Sequence, residues 1–265
     1  VTEVPLAGGY DAGLAPVRVG DTVRRLPRPF SPSVRALLRH LEAVGFDGAP
    51  RHLGVDERGR EILSYLDGEV PRPPYPDWAM TDRALVDLGG LLRRFHEASA
   101  SFPPDAPGTT GWADFWSDPR GGSVVCHNDV FPENVVFRGG RVVALIDFDM
   151  AAPGDPLWDL AIAAELWAPL GDPAVRTDHP PGLDGIARLG LLAAAYGLEP
   201  ERAEALLDTL VRERAHSTGR IRSAVAAGDP DWTRRWAESG GDRRGAADDA
   251  WIYRNRAALV AAARR

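Results

Sequence analysis

The sequence predicts an α+β fold in two unequal lobes. One is a small β-rich N-terminal lobe with a single helix, and the other is a larger, mainly helical C-terminal lobe. Three observations predict it. Short β-branched runs around glycine turns fill most of residues 1–66, with one amphipathic stretch among them. The segment PRPPYP at residues 71–76 is too rich in proline for a helix or a central strand and suits a stiff linker. Beyond it, apolar residues recur at helical spacing, interrupted by one strand–turn–strand pattern. The expected division is 1–68 for the small lobe and 69–265 for the large one.

The small lobe opens with a strand at residues 3–7, followed by a glycine-rich loop, Gly8-Gly9-Tyr10-Asp11-Ala12-Gly13. Residues 16–19 and 22–26 are two further strands around a Gly20-Asp21 turn. A glycine loop between strands lets backbone N–H groups approach phosphates, because glycine has no Cβ; a plain turn is the other reading of Gly8-Gly9. Residues 31–44 form a helix. Ser31 supplies an N-cap and Pro32 the first helical position, and Gly45 ends it. Val34, Leu37, Leu38, Leu41 and Val44 make its apolar stripe. Residues 50–55 and 61–66 are strands around the turn Asp56-Glu57-Arg58-Gly59.

In the large lobe, residues 81–98 form a helix capped by Thr81 or Asp82. Leu85, Leu88, Leu91, Leu92 and Phe95 are its apolar side. Residues 99–122 are a loop with one short helix around 112–116. Residues 124–149, VVCHNDVFPENVVFRGGRVVALIDFD, read as strand, loop, strand, turn, strand. With Gly139-Gly140 at the centre of a two-residue hairpin, Phe137 faces Val142, Val135 faces Ala144 and Asn134 faces Leu145. Asp147 then shares a face with Asn134. An amide oxygen and a carboxylate stand side by side at the open end, with Asp129 just before them. Oxygen ligands on a rigid ribbon suit a hard cation such as Mg²⁺ on phosphate oxygens. Asp and Asn also favour turns, but the combined spacing favours the ligand reading. Asp149 either supports a metal ligand or sits in a turn, and Glu133 turns to solvent.

Asp155 caps the next helix with Pro156 at its first position. Asp159 lies four residues on, a repulsive spacing unless each acid has its own task. One caps; the other anchors the preceding loop or faces a cationic substrate. Further helices are expected at 182–196, 199–217, 230–238 and 248–263, with 239–245 a loop. Asp178, Asp184, Asp248 and Asp249 are either ordinary exposed acids or acids that could meet substrate amines. Trp167, Trp232, Trp236 and Trp251 are core residues or stacking platforms.

His127-x-Asp129-x-x-x-x-Asn134, with Asp147-Phe148 downstream, resembles the catalytic and metal-binding loops of the aminoglycoside phosphotransferase family, which groups with choline kinases and the protein-kinase-like fold. Gly154-Asp155-Pro156-x-x-Asp159-Leu160-Ala161 is similar to the same pattern. The resemblance implies ATP- or GTP-dependent transfer of a phosphoryl group to a small-molecule hydroxyl. It implies that Asp129 accepts or orients the hydroxyl proton and that Asn134 and Asp147 hold Mg²⁺. His127 keeps the loop in shape, and His96 falls at a recurrent structural position. Gly8 and Gly9 would face the phosphates, and the backbone at Tyr65 and Leu66 would meet the base. The family's phosphate-binding lysine falls within Thr22–Leu26; Arg25 is the choice there and Arg24 the reserve. Where that pattern places a helix glutamate to pair with the lysine, this chain has Val34. That departure keeps a second class open, a non-catalytic pseudokinase-like binding or immunity protein. A protein kinase is the third reading; no peptide groove or activation segment is recognisable after Asp147.

Composition bounds the partners. All 31 basic residues are arginine, so only an arginine can serve as the phosphate cation. The net charge of −7 argues against nucleic acid and anionic membrane as partners. A single cysteine, Cys126, excludes an internal disulfide and fits a reduced, cytoplasmic setting. No leader pattern and no run of membrane-spanning length is visible. A monomer or homodimer is expected, binding a nucleotide and a hydroxyl-bearing acceptor, with an aminoglycoside the first acceptor to test.

Overall fold

A computed structural model describes residues 2–6 and 15–265. The predicted phosphate loop at Gly8 and Gly9 lies outside the described residues. Strands β1 (Val4–Pro5), β2 (Val17–Val19), β3 (Thr22–Arg25), β4 (His52–Val55) and β5 (Glu61–Ser64) form an antiparallel sheet in the order β1-β2-β3-β5-β4. Helix α1 (Ser31–Ala43) separates β3 from β4 in sequence, and its apolar stripe, Val34, Leu37, Leu38 and Leu41, is buried. Because α1 and β4 intervene, β3 pairs with a strand remote in sequence, and Arg25 stands opposite Glu61. The predicted cap is corrected. Ser31 is the first residue inside α1, and its buried hydroxyl accepts from the Arg28 N–H (2.8 Å) and donates to Glu61 (3.2 Å).

The linker after β5 is tied to the large lobe. Glu69 and Phe137 exchange both backbone hydrogen bonds, and Arg138 donates to the Asp67 carbonyl. Gly68 sits between at φ +150°, where an added Cβ would lie 2.3 Å from the Phe137 carbonyl oxygen. Only glycine permits that approach.

The large lobe is built on α2 (Asp82–Ser99), which Thr81 caps by accepting from the Ala84 N–H. Two short ribbons lie against it: β6 (Val124–Cys126) with β9 (Ala152–Gly154), and β7 (Val135–Arg138) with β8 (Arg141–Leu145). Helices α3 (Pro156–Trp167), α4 (Gly185–Tyr196), α5 (Ala203–Ala226), α6 (Pro230–Glu238) and α7 (Gly241–Ala263) complete it. Phe95, Phe137, Phe148, Trp158 and Trp167 are buried in a core continuous with that of α1. Helix α7 starts inside the predicted 239–245 loop. Gly240 in the left-handed conformation turns the chain, and the helix begins at once. The short helix expected around 112–116 does not form; that segment is irregular, and its Trp116 carbonyl accepts from the Trp158 indole. Among the described residues no helix is long and apolar enough to cross a membrane.

The β7–β8 turn has Gly139 and Gly140 at φ +56° and +73°, as a two-residue hairpin turn requires, and Phe137 faces Val142. Beyond that pair the expected register is corrected. Val143 is an extra residue in a bulge, so Val136 faces Ala144 and Val135 faces Leu145. The Asn134 carbonyl then accepts from the Ile146 N–H. Strand alternation therefore no longer relates Asp147 to Asn134. Asp147 stands past the end of β8 in a left-handed conformation, φ 61° and ψ 66°.

Candidate active site

Strand β6 delivers His127–Asn134 to the face where the two lobes meet. One buried carboxylate sets the path of this loop. Asp159, on the first turn of α3, accepts from the N–H groups of His127 and Asn128, both at 2.7 Å, and contacts His96 Nε2 at 3.0 Å. Burial works against its charge, but the His96 hydrogen bond and the charges and N–H around it hold Asp159 below the usual carboxylate range. Asp155, four residues earlier, caps α3 through the Leu157 N–H and meets Arg202 at its surface. Each acid thus has its own partner.

His127 is fully buried, with its ring against Phe95 and Phe148 and its Nε2 3.0 Å from the Ile146 carbonyl. Burial depresses its pKa, which favours a neutral ring. Asn128 beside it takes φ 61° and donates its amide to the Met150 carbonyl. Asn128 and Asp147 are the two non-glycine residues with positive φ among the described residues, and both flank this loop. Backbone held in sparsely populated regions concentrates where surrounding contacts over-determine it.

Asp129 is 7 % exposed, and its Oδ2 accepts from Asn134 Nδ2 at 2.7 Å. The Asn134 nitrogen is committed to Asp129, so its carbonyl oxygen is the atom turned away. Burial raises the Asp129 pKa well above the usual range, and the nearby carboxylates of Asp147, Glu133 and Asp149 add to it. Asp147 is half-exposed, 3.8 Å from Arg25 Nη1. Asp149 is largely covered and pairs with the same Nη1 at 2.6 Å; Arg28 approaches its other oxygen at 3.9 Å. Burial pushes Asp149 upward too, against Arg25 and with Asp147. The site is therefore a group of oxygens that repel one another, some buried and some open. That is the donor set a hard divalent cation fits, since its charge would relieve the repulsion.

Arg25 crosses from the small sheet to this cluster. Burial disfavours its charge, but Asp149, Glu61 and Asp147 together hold its pKa above the ordinary value. The reserve residue, Arg24, lies on the other face of β3, near Thr22 and Asp56. Tyr65 and Leu66 follow β5 and border a separate cavity of about 340 Å³ with Leu38, Leu41 and Phe46. The Tyr65 N–H already donates to the Asp21 carbonyl, and Arg18 covers its ring at 3.7 Å. That N–H is therefore committed within the small lobe.

Several other expectations are corrected. Glu133 does not turn to solvent: its carboxylate accepts from the Tyr75 hydroxyl at 3.0 Å, and burial raises its pKa. The acids offered to substrate amines have protein partners. Asp178 meets His179 and Arg244, Asp184 caps α4, Asp248 meets Arg176, and Asp249 meets Arg214. Trp167 is buried and donates to the Val130 carbonyl, holding the loop from behind. Trp232 stacks on Phe115.

Sequence reasoning missed Glu61, whose carboxylate lies 3.0 Å from Arg25 Nε. A signal for it exists, since Glu61 opens a strand and Arg25 closes another. Using it requires knowing that these two strands pair out of sequence order. The tie between His96 and Asp159 was equally hidden, because the residues are 63 apart in the chain.

The chain matches the model of the phosphotransferase enzyme family over residues 109–202, the span that holds the loop, both ribbons and α3. It is 34% identical over 248 residues to the trifolitoxin immunity protein of Rhizobium leguminosarum bv. trifolii, covering 88% of this chain and 91% of that protein. It is 30% identical over 142 residues to the homoserine kinase of Parvibaculum lavamentivorans, where the match spans 42% of each chain. A choline/ethanolamine kinase family protein from Mesorhizobium loti has the same fold, with a TM-score of 0.63 at 18% identity, over 100% of this chain and 92% of that one. The expected two-lobed, protein-kinase-like α+β architecture is the observed one.

Proposed function

The chain belongs to the phosphotransferase enzyme family, and on that premise we propose that it moves the γ-phosphoryl group of ATP or GTP to the hydroxyl of a small molecule. In this reading residues 1–68 clasp the nucleotide, and 69–265 carry the reacting loop and the acceptor pocket. The observation that carries it is a convergence. Arg25 of the small sheet reaches Asp147 and Asp149 of the large lobe, beside the buried Asp129 and its partner Asn134.

Asp129 takes the proton of the acceptor hydroxyl as the new O–P bond forms and the bond from the γ-phosphorus to the departing diphosphate breaks. A carboxylate with a raised pKa is suited to that proton, which leaves late in a loose transition state. Asn134 orients Asp129 through its amide N–H. Asn134 Oδ1 and the Asp147 carboxylate would hold Mg²⁺. That ion would supply positive charge to offset the charge on the phosphate oxygens. Arg25 faces the phosphates. Positioning and charge neutralisation supply most of the acceleration. For the acceptor, amino-alcohols stand beside aminoglycosides as the first to test, a choice that similarity over part of the chain to a protein named homoserine kinase supports.

A second reading has one observation in its favour. The relative matched over nearly the whole chain is named an immunity protein, so a non-catalytic binding role stands as the alternative. Radiolabelled phosphoryl transfer from ATP and from GTP to a panel of hydroxyl compounds separates the two. The enzyme reading expects Mg²⁺-dependent transfer, with Asp129→Asn lowering kcat by about 10²–10³ while nucleotide affinity stays within a few-fold. Asp147→Ala is expected to abolish Mg²⁺-dependent nucleotide binding. Wild-type protein that binds neither nucleotide would decide for the second reading.

A further inference from the structure

Helix α1 carries one carboxylate, Glu42, which is exposed and lies 3.7 Å from Arg51. It is remote from Arg25, so nothing on that helix orients the arginine. The sheet supplies the missing contact. Glu61 is fully buried at the start of β5, directly opposite Arg25 in the antiparallel register. Residues directly opposite in such a pair project to the same face, with Cβ atoms about 5 Å apart. The Glu61 carboxylate meets the Arg25 Nε edge at 3.0 Å. It is itself held by the Ser31 hydroxyl at 3.2 Å and by Arg35 at 3.4 Å.

A guanidinium presents donors on different edges of one rigid plane. With Nε committed to Glu61, the terminal Nη1 is directed away from the sheet. It lies 2.6 Å from Asp149 and 3.8 Å from Asp147. A lysine ammonium gathers its donors on one atom, whereas the guanidinium spreads them over separate edges of one plane. The strand glutamate and the arginine thus form a matched pair in a chain without lysine.

From this geometry we infer that Glu61 is the positioning residue for Arg25, fixing the guanidinium so that its Nη1 edge, which pairs with Asp149 here, is directed at the phosphates of the bound nucleotide. The inference rests on the phosphotransferase reading. Glu61 touches no substrate; it acts through Arg25.

Titration calorimetry with Mg²⁺·ATP and Mg²⁺·GTP tests it as a double-mutant cycle of wild type, Glu61→Gln, Arg25→Ala and the double variant. Glu61→Gln is expected to weaken nucleotide binding about 10- to 30-fold, the scale of one charge-assisted hydrogen bond. In the Arg25→Ala background the same change is expected to alter affinity less than twofold. A structural role alone would cost the same factor in both backgrounds. Glu61→Asp keeps the charge with one methylene less. It is expected to recover part of the affinity, and it replaces Glu61→Gln in the cycle if that variant does not fold. Wild-type affinity in the folded variant, or equal losses in both backgrounds, overturns the inference while leaving the phosphotransferase reading intact. A wild-type protein that binds neither nucleotide overturns both.

Discussion

Replacing Asp159 by asparagine tests how the His127–Asn134 loop is held. The carboxylate accepts the His127 and Asn128 N–H groups on separate oxygens, and His96 shares the first of these. Asparagine keeps one acceptor, which can serve Asn128. Its –NH₂ must then face the His127 N–H, donor against donor. His96 can adapt by accepting on Nε2 and donating from Nδ1 to the Tyr196 hydroxyl, 2.9 Å away. The His127 N–H cannot adapt. A buried donor without a partner costs about 1–3 kcal/mol, and a charge-assisted bond made neutral loses about 1 kcal/mol more. The sum is about 3 kcal/mol. With a urea m-value of about 3 kcal/mol/M, the unfolding midpoint falls by about 1 M. Urea denaturation followed by tryptophan fluorescence reads this directly, since Trp158 and Trp167 are buried in the same lobe. The sign with pH is also fixed. The folded pKa lies below the usual 3.8, so the carboxylate's contribution is present above that value and is lost as the pH falls below it. The gap between wild type and variant is therefore expected to narrow in acid. A midpoint shift under 0.3 M at neutral pH, well below the roughly 1 M worked out here, would refute the assignment of Asp159 as the anchor of the loop.

Two further outcomes concern packing and buried charge. Gly68→Ala drives a methyl to 2.3 Å from the Phe137 carbonyl oxygen and 2.6 Å from Val136. It is expected to cost about 2–4 kcal/mol and to lower Tm by about 4–8 °C; an unchanged melting curve would count against the close linker contact. Glu213 is buried on α5 beside Glu165, with the Ser217 hydroxyl on its carboxylate; burial and Glu165 push its pKa from 4.5 up to about 8. The folded state therefore holds this proton longer than the unfolded chain, so stability is full below about pH 4.5 and is lost as pH rises through about 8. Glu213→Gln is expected to gain roughly 2–4 kcal/mol at pH 8 and little at pH 4.5. Equal stabilities of variant and wild type at pH 8, by chemical denaturation, would contradict that.

The His127–Asn134 loop was legible because its residues are close in sequence. Asp129, Pro132 and Asn134 shape one turn, and spacing alone relates them. The caps at Thr81 and Asp155 were legible for the same reason, as each acts on a backbone N–H two or three residues away. The β7–β8 turn was legible in its glycines, but not the bulge at Val143, which no residue of the hairpin announces. Glu133 was misread because Tyr75, its partner, comes from the proline-rich linker 58 residues earlier.

On its own, the order of residues determined most of the helices, the glycine turn, the oxygen-bearing loop and that every basic side chain is an arginine. Each of these follows from contacts within a few residues or from composition. Tertiary structure alone decided that Glu61 stands behind Arg25, that Asp159 joins His96 to the loop, and where Asp147 points. Those pairs form only when strands and helices distant in the chain are brought into register, and burial, which no local pattern measures, then sets the charge each group can carry.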